Sequence, residues 1–172
     1  LEPGDRLSVV PVTEAADNLQ IRDTRLCELL GLYMAEGSLQ YNADKACSVI
    51  YTVNVDDWAV EGVPALVADL WPDQPVFIDP KRNSRGALAI SISSTPFAGW
   101  LGRLCGAGSR RKHVPAPLFS SPDDCKLALL GRWLDGDGWC DAKGLHWSSC
   151  NYYLLLDARD LLLSLGIPAS IY

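Results

Sequence analysis

Apolar residues recur along the chain with two alternating periods, and the switches between them mark the elements. Leu7, Val9 and Pro11 alternate behind a Pro-Gly-Asp turn, which predicts a strand over Leu1–Pro11 followed by a polar connector over Thr13–Asp23. A helix is predicted from Arg25 to Glu36, capped by Asp23 or Thr24 and ended by Gly37. Strands follow at Ser38–Tyr41 and Ala46–Val55, the second rich in β-branched and aromatic residues. Asp56-Asp57 opens an amphipathic helix through Trp58, Val60, Val63, Leu66, Val67 and Leu70, which Pro64 interrupts unless it falls in the first turn or two. Pro75–Asp79 and Ala87–Ser93 read as strands joined by a basic turn, Lys81–Gly86, and Thr95-Pro96 starts a helix that runs to Cys105.

After a connector rich in Gly, Arg and Pro, Gly106–Pro117, the order restarts. Ser121-Pro122-Asp123 caps a helix from Asp124 to Asp137, and strands follow at Trp139–Asp141 and Leu145–Ser149. A helix over Tyr152–Leu165, the break Gly166-Ile167-Pro168 and a short strand Ala169–Tyr172 complete the pattern. Both halves read α-β-β-α-β, an imperfect internal duplication whose second copy is shorter. The fold class is therefore α+β, with an N-terminal strand and connector over 1–22, a first half over 23–105, a basic linker over 106–120 and a second half over 121–172.

Charge changes this picture by its distribution. The chain carries 15 basic and 21 acidic residues, a net charge of -6, which argues against a nucleic-acid partner. Yet Pro80–Phe119 contains no Asp or Glu and holds Lys81, Arg82, Arg85, Arg103, Arg110, Arg111 and Lys112. That window is either a phosphate-binding face or a solvated basic surface. No apolar run is long enough to span a bilayer, so no membrane partner is expected. The six cysteines form no C-x-x-C pair and are expected to be buried, reduced thiols in a cytoplasmic protein. The absence of an initiator Met suggests an excised or trimmed chain.

Two segments carry the candidate chemistry, Leu29-Leu30-Gly31-Leu32-Tyr33-Met34-Ala35-Glu36-Gly37 and Leu130-Gly131-Arg132-Trp133-Leu134-Asp135-Gly136-Asp137-Gly138. Each is an apolar helix containing small residues that ends in an acid and a glycine. Gly31 and Ala35 share a face at i, i+4, and small residues let helix backbones approach closely. If the two helices pack together, Glu36 and Asp137 come side by side. Two adjacent carboxylates repel unless a cation lies between them, and helix C-termini add negative potential. Such a pair suits a hard divalent cation, and metal ions held there can activate water for phosphodiester cleavage. Singly, each acid reads first as a helix end turned to solvent. Together they lie 101 residues apart, each opening one α-β-β-α-β copy.

The two segments resemble, position by position, the nine-residue motif of the LAGLIDADG (dodecapeptide) homing endonucleases, with Glu36 and Asp137 at its metal-binding acid. Met34 stands where that family often has Asp. Arg132 stands where it often has Gly, and at the helix interface its bulk should force it outward. Lys112-His113-Val114-Pro115 resembles the Lys-x-Ile/Val-Pro element of the intein-type subfamily, and Leu1–Leu7 resembles the intein strand before an inserted endonuclease domain. The resemblance implies two pseudo-symmetric αββαββα-like halves, the second incomplete, with paired central helices over antiparallel sheets. It implies a monomeric, site-specific double-strand DNA endonuclease and admits a link to an intein splicing domain. Mg²⁺ would be the cofactor, with Mn²⁺ or Ca²⁺ able to substitute in binding. Glu36 and Asp137 would hold the metal with backbone near Ala35 and Gly136, and Lys112 would act as the catalytic lysine. A long asymmetric target would be read by Gln40, Asn42, Tyr51, Thr52, Asn54, Lys81, Arg82, Asn83 and Arg85, and in the second half by Lys143, His146 and Ser148, with Arg110 and Arg111 in the linker. The six tryptophans are expected in core or interface positions. Two other readings stay open: a LAGLIDADG-derived DNA- or RNA-binding module without cleavage, and an unrelated α+β domain in which the acids lie apart.

Overall fold

The computed structural model describes residues 20–80, 86–142 and 144–171. The predicted strand Leu1–Pro11, the turn residues 81–85 and Lys143 lie outside them.

Asp23 caps the first helix, α1 (Thr24–Glu36), by accepting from the Arg25 N–H at 3.0 Å. The chain then turns back as β1 (Gly37–Asn42) and β2 (Lys45–Asn54), crosses through α2 (Ala59–Leu70), and returns as β3 (Val76–Pro80) and β4 (Ala87–Ile92). Pro64 falls in the second turn of α2, which continues past it. Ser94 caps α3 (Thr95–Cys105), with Pro96 in its first turn. The four strands form an antiparallel sheet in the order β1-β2-β4-β3.

Register assigns the two faces of this sheet. The rows Leu39–Val49–Ile92–Val76 and Gly37–Tyr51–Ile90–Ile78 face the helices, and Val49, Tyr51, Ile90 and Ile92 are fully buried there. The intervening rows face away: Ser38–Ile50–Ser91–Phe77, then Thr52–Ala89–Asp79, then Asn54–Ala87. This is the period-2 alternation of a sheet covered on one side.

The second half begins with a 3₁₀ turn (Ala116–Ser120) and α4 (Asp123–Asp137), followed by the hairpin β5 (Gly138–Asp141) and β6 (Gly144–Trp147) and by α5 (Tyr152–Ser164), which Asn151 caps. Two expectations need correction. Ser121 does not cap α4; Pro122 takes the cap position without a side-chain bond. Ser121 instead accepts from the Ile21 N–H and donates to the Pro117 carbonyl, tying the entry to α1 against the linker. No strand forms over 169–171, because no described strand lies beside it to exchange ladder hydrogen bonds. The second sheet accordingly has two strands among the described residues.

The core is centred on α1 packed against α4, with Leu29, Leu30, Leu32, Tyr33 and Met34 from one and Leu129, Leu130 and Trp133 from the other. Each fully buried side chain of this size contributes about 1.5–3 kcal/mol. Trp133 is fully buried, and four other tryptophans pack against the core; Trp139, 51% exposed, departs from expectation. All six cysteines are free. Cys27, Cys105 and Cys125 are buried as expected, whereas Cys140 and Cys150 are exposed.

Candidate functional site

The two motif helices run side by side in the same direction, and glycines set how close they come. A Cβ on Gly31 would overlap the Leu129 carbonyl oxygen and sit 3.0 Å from Arg132 Cβ. A Cβ on Gly136 would lie 2.5 Å from Ala35 Cβ. Backbone therefore meets backbone along the seam, and each helix ends in its acid, Glu36 or Asp137. The glycines after the acids work by size. Gly37 and Gly138 have ordinary extended backbones, φ -80° and -117°, which any residue adopts. A Cβ on Gly37 would lie 2.6 Å from Tyr33 Cα, and one on Gly138 would lie 2.7 Å from the Leu134 carbonyl oxygen.

The acids share one end of the seam. The Glu36 Oε1 lies 3.8 Å from where a Gly136 Cβ would be, next door in sequence to Asp137. Asp137 is half-buried and accepts from the Trp133 indole N–H at 3.2 Å. Burial raises its pKa, and the Trp133 hydrogen bond and the nearby Lys112 charge pull the other way.

Lys112 lies beneath the pair. Its ammonium donates to the Tyr33 carbonyl at 2.5 Å and the Met34 carbonyl at 3.1 Å, in the last turn of α1, and sits 4.8 Å from the Tyr33 ring centroid. Only 5% of the residue is exposed. Burial pulls its pKa down to about 8, against the opposing attraction of Asp137 and Glu36. The segment carrying it is clamped on both sides. Tyr33 Oη donates to the Gly106 carbonyl at 2.7 Å, the Asn151 side-chain amide donates to the Lys112 carbonyl at 2.7 Å, and the Val114 N–H donates to Asp157 at 2.9 Å.

The donor set fits a hard divalent cation: two carboxylates, with the backbone carbonyls of Ala35 and Gly136 at helix ends where intrahelical N–H partners run out. Two carboxylates and one ammonium leave a net negative centre, deepened by two helix C-termini. No cluster of three or more His, Cys, Asp or Glu forms among the described residues, so the cation would rest on this mixed set.

The profile of the LAGLIDADG-like domain family matches residues 124–172, the half that carries α4 and Asp137. The homing endonuclease I-DmoI, in complex with DNA and Ca, superposes with a TM-score of 0.65 at 16% identity, covering 87% of this chain and 75% of that one. The chain has the LAGLIDADG homing-endonuclease fold. Full-length DUF199/WhiA from Thermatoga maritima shares it, with a TM-score of 0.58, 15% identity, and coverage of 89% of this chain and 49% of that one. In sequence, the chain is 35% identical over 79 residues, 44% of its length, to the iron-sulfur cluster assembly SufBD family protein ML0593 of Mycobacterium leprae (strain TN), and spans 9% of that protein.

On this LAGLIDADG frame the sequence-predicted residues separate. Gln40, Thr52 and Asn54 stand on the outward sheet face, and Asn42 pairs with Lys45 at the end of the β1–β2 hairpin. Tyr51 does not join them: it is fully buried, with its hydroxyl donating to the Leu29 carbonyl at 3.3 Å. Lys81, Arg82, Asn83, Arg85 and Lys143 lie outside the described residues. Arg110 and Arg111 are exposed in the turn that precedes Lys112. His146 stacks on Trp139 and its Nε2 lies 3.0 Å from Asp141. Ser148 sits just past the end of β6, where its N–H donates to the Asp137 backbone carbonyl at 3.3 Å and extends the β5–β6 ladder by one bond.

Arg132 does not turn out to solvent. It lies along the edge of the seam, stacks 3.7 Å from the Trp58 ring centroid, and pairs with Glu28 at 2.8 Å and Asp135 at 3.0 Å. Sequence reading missed Trp133 and Asn151. Trp133 stands four residues before Asp137, one helical turn, a spacing visible in the sequence. Asn151 shows itself as a helix cap, but its bond to the Lys112 carbonyl spans 39 residues and leaves no local trace.

Proposed function

We propose that the chain is a divalent-metal-dependent, site-specific double-strand DNA endonuclease, acting as a monomer and carried as an insert, of intein type, within a longer host protein. The observation that carries the reading is the meeting of Glu36 and Asp137 at one end of a helix seam too close for side chains. I-DmoI, which shares the fold, has been crystallised with DNA and Ca or Mn, and that supports a divalent metal here. The match to a short stretch of a long protein named for another task supports the insert reading.

In the reaction, Glu36 and Asp137 would hold Mg²⁺ with the carbonyls near Ala35 and Gly136, and the metal would supply Lewis acidity and a water of lowered pKa. Lys112 offsets the charge of the two acids and holds the last turn of α1 through its carbonyls. Gln40, Thr52 and Asn54 would face the bases, and Arg110 and Arg111 would meet phosphates. The chain would act inside the cell on the DNA of its host gene.

The test is Mg²⁺-dependent cleavage of a plasmid bearing the vacant insertion site, with wild type beside Glu36→Gln and Asp137→Asn. Wild type is expected to cut, and each variant to lose about 100-fold or more, as when a group stabilising the transition state is removed. DNA binding without cutting by any of the three would establish the second reading, a nucleic-acid-binding module without cleavage.

A further inference from the structure

Resting on the DNA reading above, we infer that the outward face of the four-stranded sheet recognises an A·T-rich half-site. The register makes the side chains on that face explicit. As far as the bulge after Gln40 they are Ser38 and Gln40 on β1; Ser48, Ile50, Thr52 and Asn54 on β2; Ala87, Ala89 and Ser91 on β4; and Phe77 and Asp79 on β3.

Chemistry sorts them. None of these positions holds Arg or Lys, the residues that reach guanine O6 and N7, and the nearest such residue on the described strands, Lys45, lies past the bulge at the hairpin end. Gln40 and Asn54 carry the carboxamide that pairs with adenine N6 and N7, while Thr52, Ile50, Ala89 and Phe77 offer apolar contact to a thymine methyl. Phe77 is 52% exposed, a large aromatic left open on a sheet face. Asp79 sits on the same face, would repel phosphates and can accept from cytosine N4, so one G·C pair is expected opposite it within an otherwise A·T-rich half.

Shape agrees. The outward positions of β4 are Ala, Ala and Ser, so the inner strand forms a low floor between taller residues on β2 and β3. Two strand spacings separate those walls, about 10 Å, a little less than the roughly 12 Å major groove of B-DNA. The deep, narrow major groove of A-form RNA would not admit such a face.

The test is selection from a randomised duplex library by the full chain in CaCl₂, followed by sequencing of the retained duplexes. One half of the enriched site is expected to be A·T-rich. Asn54→Arg, at an exposed strand end, is expected to switch one position from adenine to guanine by about tenfold or more, the scale of one bidentate contact. Phe77→Asn is expected to erase a thymine preference nearby. Circular dichroism checks that both variants fold. Retained sites that are G·C-rich in both halves, or a bias that Asn54→Arg and Phe77→Asn leave unmoved, would overturn the inference while keeping the DNA reading. Failure to retain any duplex would overturn both.

Discussion

Two glycines in the motif helices should respond to alanine with opposite signs. Gly31 and Gly131 are both inside α-helices, so alanine gains about 1 kcal/mol at each from helix propensity alone. Around Gly131 nothing lies within 4 Å of the added Cβ, and that gain should appear in full. At Gly31 the Cβ overlaps the Leu129 carbonyl oxygen, a backbone atom that no rotamer change can remove. Ordinary contact begins near 3.4 Å, so α1 and α4 must part by about 1 Å, and overpacking of this severity costs up to about 3 kcal/mol. Gly31→Ala should therefore lose about 2 kcal/mol net, lowering Tm by about 4–8 °C, while Gly131→Ala raises it by about 2–4 °C. Differential scanning calorimetry in EDTA reads both. Isothermal titration with Ca²⁺ should show weakened binding for Gly31→Ala, whose parted helices move Glu36 from Asp137, and unchanged binding for Gly131→Ala. If Gly31→Ala proves as stable as Gly131→Ala, the close seam is refuted, and with it the reason for placing the two acids together.

The buried Lys112 predicts a pH effect. Its folded pKa, near 8, lies below its unfolded value of 10.5, so below pH 8 both states are protonated and the cost of burying the charge is fully present. As pH rises from 8 toward 10.5 the folded state releases the proton first, and stability should rise. Urea melts in EDTA between pH 7.5 and 9.5 should show this rise in wild type, and an undiminished slope in Lys112→Met would refute it. Asn151 makes two separable bonds, donating to the Lys112 carbonyl and accepting from the Leu154 N–H. Asn151→Ser keeps a capping acceptor and loses the donor to Lys112, so it should cost about 1–3 kcal/mol, and Asn151→Ala, which loses both, should cost more; equal urea midpoints would refute the division. Exposed Cys140 and Cys150 should alkylate in the native protein. Buried Cys27 and Cys105, whose thiol pKa values burial pushes up, should react only after unfolding, as mass spectrometry of labelled peptides would show.

What could be read from sequence was whatever a single element reports about itself. The α1 range, the β1–β2 pair, the alternation along β2, the cap at Asp23 and the start of α3 at Thr95 follow from local spacing, and the structure reproduces them within a residue or two. Alternation also shows that Tyr51 and Thr52 face opposite ways, but not which side is covered; only packing against α1 buries Tyr51. The acid pair was legible because small residues and acids repeat in both helices. The depth of Lys112 was not, because it arises from Tyr33, Met34 and Asn151, which lie 39 to 79 residues away in sequence. Ala169–Tyr172 has strand-like composition, yet composition cannot supply the neighbouring strand that a ladder requires.

Counting back five residues from each terminal acid reaches Gly31 on α1 and Arg132 on α4, so a hollow on one helix receives the bulk of the other. Glu28 on the hollow side then meets the guanidinium. Pairing of two α1 copies would leave a gap and set carboxylate toward carboxylate; pairing of two α4 copies would drive guanidinium against guanidinium. The halves of this duplicated chain have thereby become lock and key to each other, and neither retains the self-complementarity that a symmetric ancestor would have required.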